Sequence, residues 1–69
     1  MYPRNSDLTS RELEIIALIA KGRTDDEIAA IEQRSTHTIK SQIKMIRQKL
    51  SASNKAHVVA IAYDLGILP

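Results

Sequence analysis

Apolar residues in this chain recur at the three- and four-residue spacing of helices, and the polar residues between them read as starts and stops. Thr9-Ser10-Arg11-Glu12 is a capping box, in which a threonine hydroxyl and a glutamate carboxylate each take the other residue's backbone N–H. Leu8 before it suits a hydrophobic staple, Leu13, Ile16, Ala17 and Ala20 mark a buried side, and Gly22 ends the helix in a left-handed turn. The first helix is therefore expected over residues 10–21. Thr24-Asp25-Asp26-Glu27 repeats the device, with three acids in the turn where the helix dipole favours negative charge. A short second helix, 25–32, follows, with Ile28 and Ile31 as its buried side.

Ser35 offers a third cap, and the helix it opens, 36–50, carries the clearest pattern. With Ile39 at zero and about 100° per residue, Ile43, Ile46 and Leu50 fall within about 40° of it, while Arg47, Lys40, Lys44, His37, Gln48 and Ser41 lie between about 80° and 200°. One face is apolar and the neighbouring face is basic and hydrogen-bonding. Ser51-Ala52-Ser53-Asn54 breaks the pattern and caps a last helix, 54–65, closed by Gly66. Val58, Ile61, Ala62 and Leu65 form its core stripe; Val59 and Tyr63, with Ala56 and Ala60 beside them, form a second apolar strip that predicts a self-association surface.

Charge sharpens this picture. The net charge is only +2, but it is unevenly spread. Residues 1–33 hold seven acids against four bases; from residue 34 onward Asp64 is the one acid, against Arg34, Lys40, Lys44, Arg47, Lys49 and Lys55. Basic charge gathered on one structured element is the footprint of a nucleic-acid binder, because each neutralised phosphate releases a counterion.

At 69 residues there is room for one domain, which buries about 60% of the surface its unfolded chain exposes. Phe, Trp and Cys are absent. The core must come from Ile, Leu, Val and Ala, which suits closely packed helices, and there is neither a disulfide framework nor a thiolate metal site. His37 and His57 stand twenty residues apart without neighbouring acids, and the serines near His57 lack an orienting carboxylate, so a metal site and an enzyme are both disfavoured and no cofactor is expected. No apolar stretch is long enough for a signal peptide or a bilayer span, so a cytoplasmic protein is expected.

Two helices joined by a tight turn, the second with a basic face, make a helix-turn-helix, whose second helix enters the major groove. Geometry nominates Lys40, Ser41 and Lys44 for base contact. Thr36, Thr38, Arg47, Lys49 and Lys55 are nominated for the DNA backbone, the threonines because helix N-termini favour anions.

These residues also resemble a family. Leu8-Thr9-x-Arg11-Glu12-x-Glu14-Ile15-Ile16, Ile19-Ala20-x-Gly22-x-Thr24, Glu27-Ile28-Ala29, Ser35-x-x-Thr38-Ile39-Lys40, Lys49-Leu50 and Asn54-Lys55 follow the order and spacing of the LuxR-type (GerE, FixJ, NarL) DNA-binding domain. The resemblance spans residues 8–68, leaving 1–7 as a flexible N-terminal segment, and the stand-alone form of the family is expected. It implies an all-α, four-helix domain that binds double-stranded DNA as a homodimer and regulates bacterial transcription. By resemblance Lys40, Ser41 and Lys44 read the groove, Thr38, Lys49 and Lys55 face the backbone, and the fourth helix, with Ala56, Val59, Ala60 and Tyr63, pairs the subunits. A sigma-factor DNA-binding region shares the helix-turn-helix pattern but does not need the last helix.

The chain departs from the family pattern at Glu32, where Leu is usual, and at Arg34, where Ile or Val is usual. An unbroken helix aims Glu32 inward, about 40° from Ile28, and an isolated buried carboxylate is costly. The turn is therefore expected to rearrange, either with Ile31 swinging inward or with Glu32 and Arg34 pairing at the surface. Gln42 for His, Ser51 for Gly and Lys55 for Arg are milder departures. The altered turn also sustains an alternative: a small interaction protein that binds a larger regulatory protein and has little DNA binding of its own.

Overall fold

The computed structural model describes residues 7–69; most of the N-terminal segment expected to be flexible, residues 1–6, lies outside that range. Four helices follow in order: α1 Ser10–Ala20, α2 Asp25–Glu32, α3 Thr36–Leu50 and α4 Lys55–Asp64. α1, α2 and α3 begin at the expected residues, and α4 begins at Lys55, one residue later than expected, because Asn54 serves as its cap. Thr9 and Glu12 satisfy one another's backbone N–H groups at 3.1 and 2.8 Å, and Thr24 and Glu27 do the same at 3.2 and 2.9 Å. The Thr24 backbone donor is the main reason the Glu27 carboxyl lies below its usual range. Ser35 and Asn54 cap α3 and α4 by accepting from Thr38 and His57.

The helix ends are equally local. Gly22 and Gly66 take positive φ, 81° and 75°, where a Cβ would be strained. Gln33 and Ser51 adopt the same left-handed turn without being glycine, each at φ 55°. Both turns place residues that rarely sit there, at a cost of about 1 kcal/mol each.

The core gathers Ile15, Ile16 and Ile19 of α1, Ile28 and Ala29 of α2, Ile39, Ile43, Ile46 and Leu50 of α3, and Val58, Ile61 and Ala62 of α4. Leu8, just before α1, is buried with them, and Leu13, Leu65, Ile67 and Leu68 pack at the margin. The stripe expected on α3 is buried in full. Leu65, expected in the stripe of the last helix, falls just past the end of α4 and is only half-buried.

Two expectations about buried faces are corrected. On α1 the enclosed residues are Glu12, Ile15, Ile16 and Ile19, while Leu13, Ala17 and Ala20 are half-buried. Residues 15–20 are all apolar, so spacing alone does not choose a face; the packed neighbours select the bulky isoleucines. On α2, Ile31 is 52% exposed and Ala29 is buried in its place.

The turn after α2 does not rearrange in either expected way. The helix runs unbroken to Glu32 and closes through the Arg34 N–H, which donates to the Ala29 carbonyl at 2.9 Å. Ile31 stays outside, and Arg34 is exposed. Glu32, its side chain 11% exposed, turns toward α1 and accepts from Arg11 at 3.4 Å. Partial burial, together with hydrogen bonding and like charge from Glu14, raises its carboxyl above the usual range despite Arg11 and Arg34.

Candidate nucleic-acid interface

The turn between α2 and α3 leaves one long side of α3 uncovered, and there the two halves of its sequence pattern separate. Ile39, Ile43, Ile46 and Leu50 hold it to the core, and Lys40, Ser41, Lys44 and Gln48 are exposed. Among the described residues, Lys40, Ser41 and Lys44 have no hydrogen-bond or ion-pair partner. These are the three residues nominated for base contact.

Beside them runs an open groove of about 680 Å³, floored by Ile43 and Ala52 and lined by Lys40, Lys44, Arg47, Gln48 and Lys55 together with Asp25. It lies between α3 and the N-termini of α2 and α4. Four of the predicted cationic contacts therefore share one concavity. Lys40 and Lys55 also border a shallower depression with Arg23, Asp25 and Asp26.

Every residue nominated for the DNA backbone is already engaged within the protein. The Thr36 hydroxyl donates to Asp26 at 2.7 Å, and Thr38 accepts from the Ser35 hydroxyl at 2.9 Å. Arg47 donates through Nη2 to the Ser53 carbonyl at 2.9 Å, tying α3 to the start of α4, while its buried Nε has no partner. Lys55 pairs with Asp25 across the groove. Lys49 lies on the other flank of α3, outside the groove, and donates to Glu12 at 2.8 Å.

The Glu12 pair is unlike the rest. Glu12 is the one buried charged residue among those described, 6% exposed, and its Oε1 takes both the Lys49 ammonium and the Thr9 N–H. Burial works against its charge, but the Lys49 hydrogen bond and charge and the Thr9 donors outweigh that and hold the carboxyl below the usual range. Sequence reading missed this bond, the Asp25–Lys55 pair and the Asp26–Thr36 bond. The acids were visible as capping and first-turn residues, and nothing in local spacing shows which distant cation or hydroxyl will meet them.

The self-association candidates occupy one side of α4. Tyr63 is 52% exposed, Ala56 and Ala60 are exposed, and Val59 is half-buried against the core. His57 is a local cap partner: its Nδ1 accepts from the Ser53 N–H at 3.0 Å. No helix of the described residues is long and apolar enough to cross a membrane.

Residues 6–67 match the model of the bacterial regulatory proteins of the luxR family. The chain belongs to that family. Among solved structures it is similar to the transcription factor GerE, at a TM-score of 0.85 and 29% identity, over 90% of this chain and 92% of that one. Among curated proteins it is 34% identical over 61 residues to the response regulator protein VraR of Staphylococcus aureus, and equally so to VraR of Staphylococcus epidermidis. The match covers 88% of this chain and 29% of the relative, so the chain spans less than a third of the length of these response regulators. As a LuxR-type helix-turn-helix domain of all-α architecture it belongs with DNA-binding transcription regulators, not with an enzyme class.

Proposed function

We propose that this LuxR-type domain binds double-stranded DNA sequence-specifically in the cytoplasm, with α3 in the major groove, and regulates transcription as a homodimer paired through α4. The observation that carries the reading is the state of the polar side chains on and beside the outer face of α3. Lys40, Ser41 and Lys44 are exposed and uncommitted on the outer face of α3, whereas the residues flanking them are held in place by internal bonds. Base-reading groups must be free to meet base edges. Backbone-gripping groups gain from being positioned beforehand, since less side-chain freedom is lost on docking.

Lys40 and Lys44 are suited to guanine O6 and N7, and the Ser41 hydroxyl can donate to or accept from a base edge. In this proposal Thr38, Arg47, Lys49 and Lys55 hold phosphates through their side chains, and Thr36, whose one hydroxyl proton goes to Asp26, does so through its backbone N–H at the start of α3. An ammonium has three donors, so Lys49 and Lys55 can each keep their carboxylate while giving another N–H to a phosphate oxygen. Ala56, Val59, Ala60 and Tyr63 supply the apolar contact between subunits, and a two-fold dimer would recognise half-sites about 10 bp apart.

The test is fluorescence anisotropy of labelled duplexes, selected by the protein from a random pool, titrated at several salt concentrations. Specific binding with a steep negative dependence on log salt is expected. Absence of salt-dependent binding to any duplex sinks the proposal and leaves the domain to the rival role of modulating a larger regulatory protein.

A further inference from the structure

Three large apolar side chains stand exposed among the described residues: Ile31 on α2, Tyr63 on α4 and Met45 on α3. Met45 alone lies on the helix whose outer face carries the uncommitted Lys40, Ser41 and Lys44, and it is 52% exposed. An apolar side chain left half open to water within a basic, hydrogen-bonding surface recovers only part of its burial energy from its own fold.

Its angular position is specific. The core stripe of α3, Ile39, Ile43, Ile46 and Leu50, centres about 10° from Ile39, so the direction facing away from the core is about 190°. Lys44 stands at about 140° and Met45 at about 240°, one about 50° to each side of that direction. Ser41 and Gln48 lie within about 10° of it. Along the axis Met45 is one residue, about 1.5 Å, beyond Lys44. With α3 seated symmetrically in a groove, Met45 approaches the base edges as closely as Lys44 does, on the opposite flank.

The two flanks differ in chemistry. On the Lys44 side lie Lys40, Arg47 and the groove with Lys55; on the Met45 side the neighbouring long side chains are Gln42, half-buried, and Lys49, already bound to Glu12. Several cations thus face one wall of the major groove, while the other is faced by a flexible thioether with the single, Glu12-bound Lys49 behind it. Only one apolar group is displayed on major-groove base edges, the C5-methyl of thymine. A methionine, unbranched and polarizable, conforms readily to such a group.

We propose that Met45 is a specificity residue that packs against a thymine methyl group on the strand opposite the bases read by Lys40 and Lys44. The inference rests on α3 occupying the major groove. It adds to that reading a preference for thymine that lysines and a serine do not supply.

The experiment is a cycle between one side chain and one methyl group. The duplex is the site selected from a random pool by the wild-type 69-residue chain, synthesised with each thymine replaced singly by deoxyuridine, which removes the methyl and keeps every hydrogen-bonding group. Binding of wild-type, Met45→Ala and Met45→Leu proteins is measured on each duplex. At one thymine per half-site, wild-type protein should lose about three- to fivefold on removal of the methyl, the worth of one buried methyl group. Met45→Ala should show a ratio near one there, and Met45→Leu should restore the loss. Because Met45 is exposed, thermal melts of the variants should match wild type. Equal uracil-to-thymine ratios for wild-type and Met45→Ala proteins at every position overturn the assignment. If binding then still depends on Lys44, only Met45's role falls; if the wild-type protein shows no specific binding at all, groove docking falls with it.

Discussion

Lys49 is the residue whose role the tertiary structure changes most, and breaking its bond to Glu12 gives a measurable consequence. The ammonium lies 2.8 Å from Glu12 Oε1, with side-chain exposures of 31% and 8%. A fully exposed pair is worth about 0.2–1 kcal/mol, and removing one partner from a fully buried pair costs about 3–5 kcal/mol. This pair lies between those limits, because Lys49 remains partly hydrated and Glu12 keeps the Thr9 N–H when Lys49 is lost. Lys49→Met, which retains the aliphatic stem, should cost about 1.5 kcal/mol. For a domain of this size that corresponds to a Tm lower by about 6–12 °C. Glu12→Gln keeps a carbonyl oxygen for Thr9 and removes only the charge, so the double variant should reveal a coupling of about 1 kcal/mol.

The pH dependence follows from the same bond. Glu12 has its folded pKa below its unfolded one, so its contribution to stability is complete above the ordinary glutamate value of about 4.3 and disappears as the pH falls through the folded value. Lys49→Met removes the principal influence lowering that pKa and should flatten the acid limb of stability against pH. Urea unfolding followed by circular dichroism, from pH 7 down to pH 3, measures both quantities. A Lys49→Met protein as stable as wild type, or a coupling indistinguishable from zero, would refute the structural role assigned to this pair.

Four further outcomes are expected. Lys44→Ala should weaken binding to the selected site by about 1–3 kcal/mol and relax sequence preference at one position, whereas Lys55→Ala should weaken all duplexes alike and reduce the salt slope by about one; equal losses on every sequence for both would refute that division of labour. Asp25→Asn, which keeps a side-chain oxygen for Lys55 and removes a negative charge from the groove, should tighten binding to every duplex, most at low salt; unchanged affinity in salt-titrated anisotropy would show that the Asp25 charge does not oppose the phosphates. Glu32→Leu should raise stability at pH 7 by about 1 kcal/mol, read by urea unfolding. Because the folded pKa of Glu32 is raised, its carboxyl reduces stability as the pH rises from the unfolded to the folded value, and the leucine variant should lose that decline; a less stable variant would mean that the Arg11 pair outweighs Glu14 repulsion. Tyr63→Arg places charge on the apolar side of α4 and should give monomers in sedimentation at concentrations where wild-type protein forms dimers.

Much of this protein is written in short-range chemistry. A cap and its partner are three residues apart, a left-handed stop follows the last helical turn, and an apolar stripe on a mostly polar helix such as α3 has one angular solution. Helix positions, the buried side of α3 and the exposed basic face were therefore legible in the chain. Where local pattern is degenerate it chose wrongly: residues 15–20 of α1 are apolar throughout, and Ile28 on α2 is followed by both Ala29 and Ile31, so burial was decided by which side the neighbouring helices covered. The same holds for the charges. Glu12 and Lys49 are 37 residues apart, and Asp25 and Lys55 are 30 apart. The sequence by itself determined that both acids lie in first helical turns, that Lys49 lies on the basic helix and that Lys55 follows shortly after it. Only the packing of α1, α2 and α4 around α3 decided that they meet, because helical periodicity specifies angles within a helix and carries no information about the angle between one helix and the next.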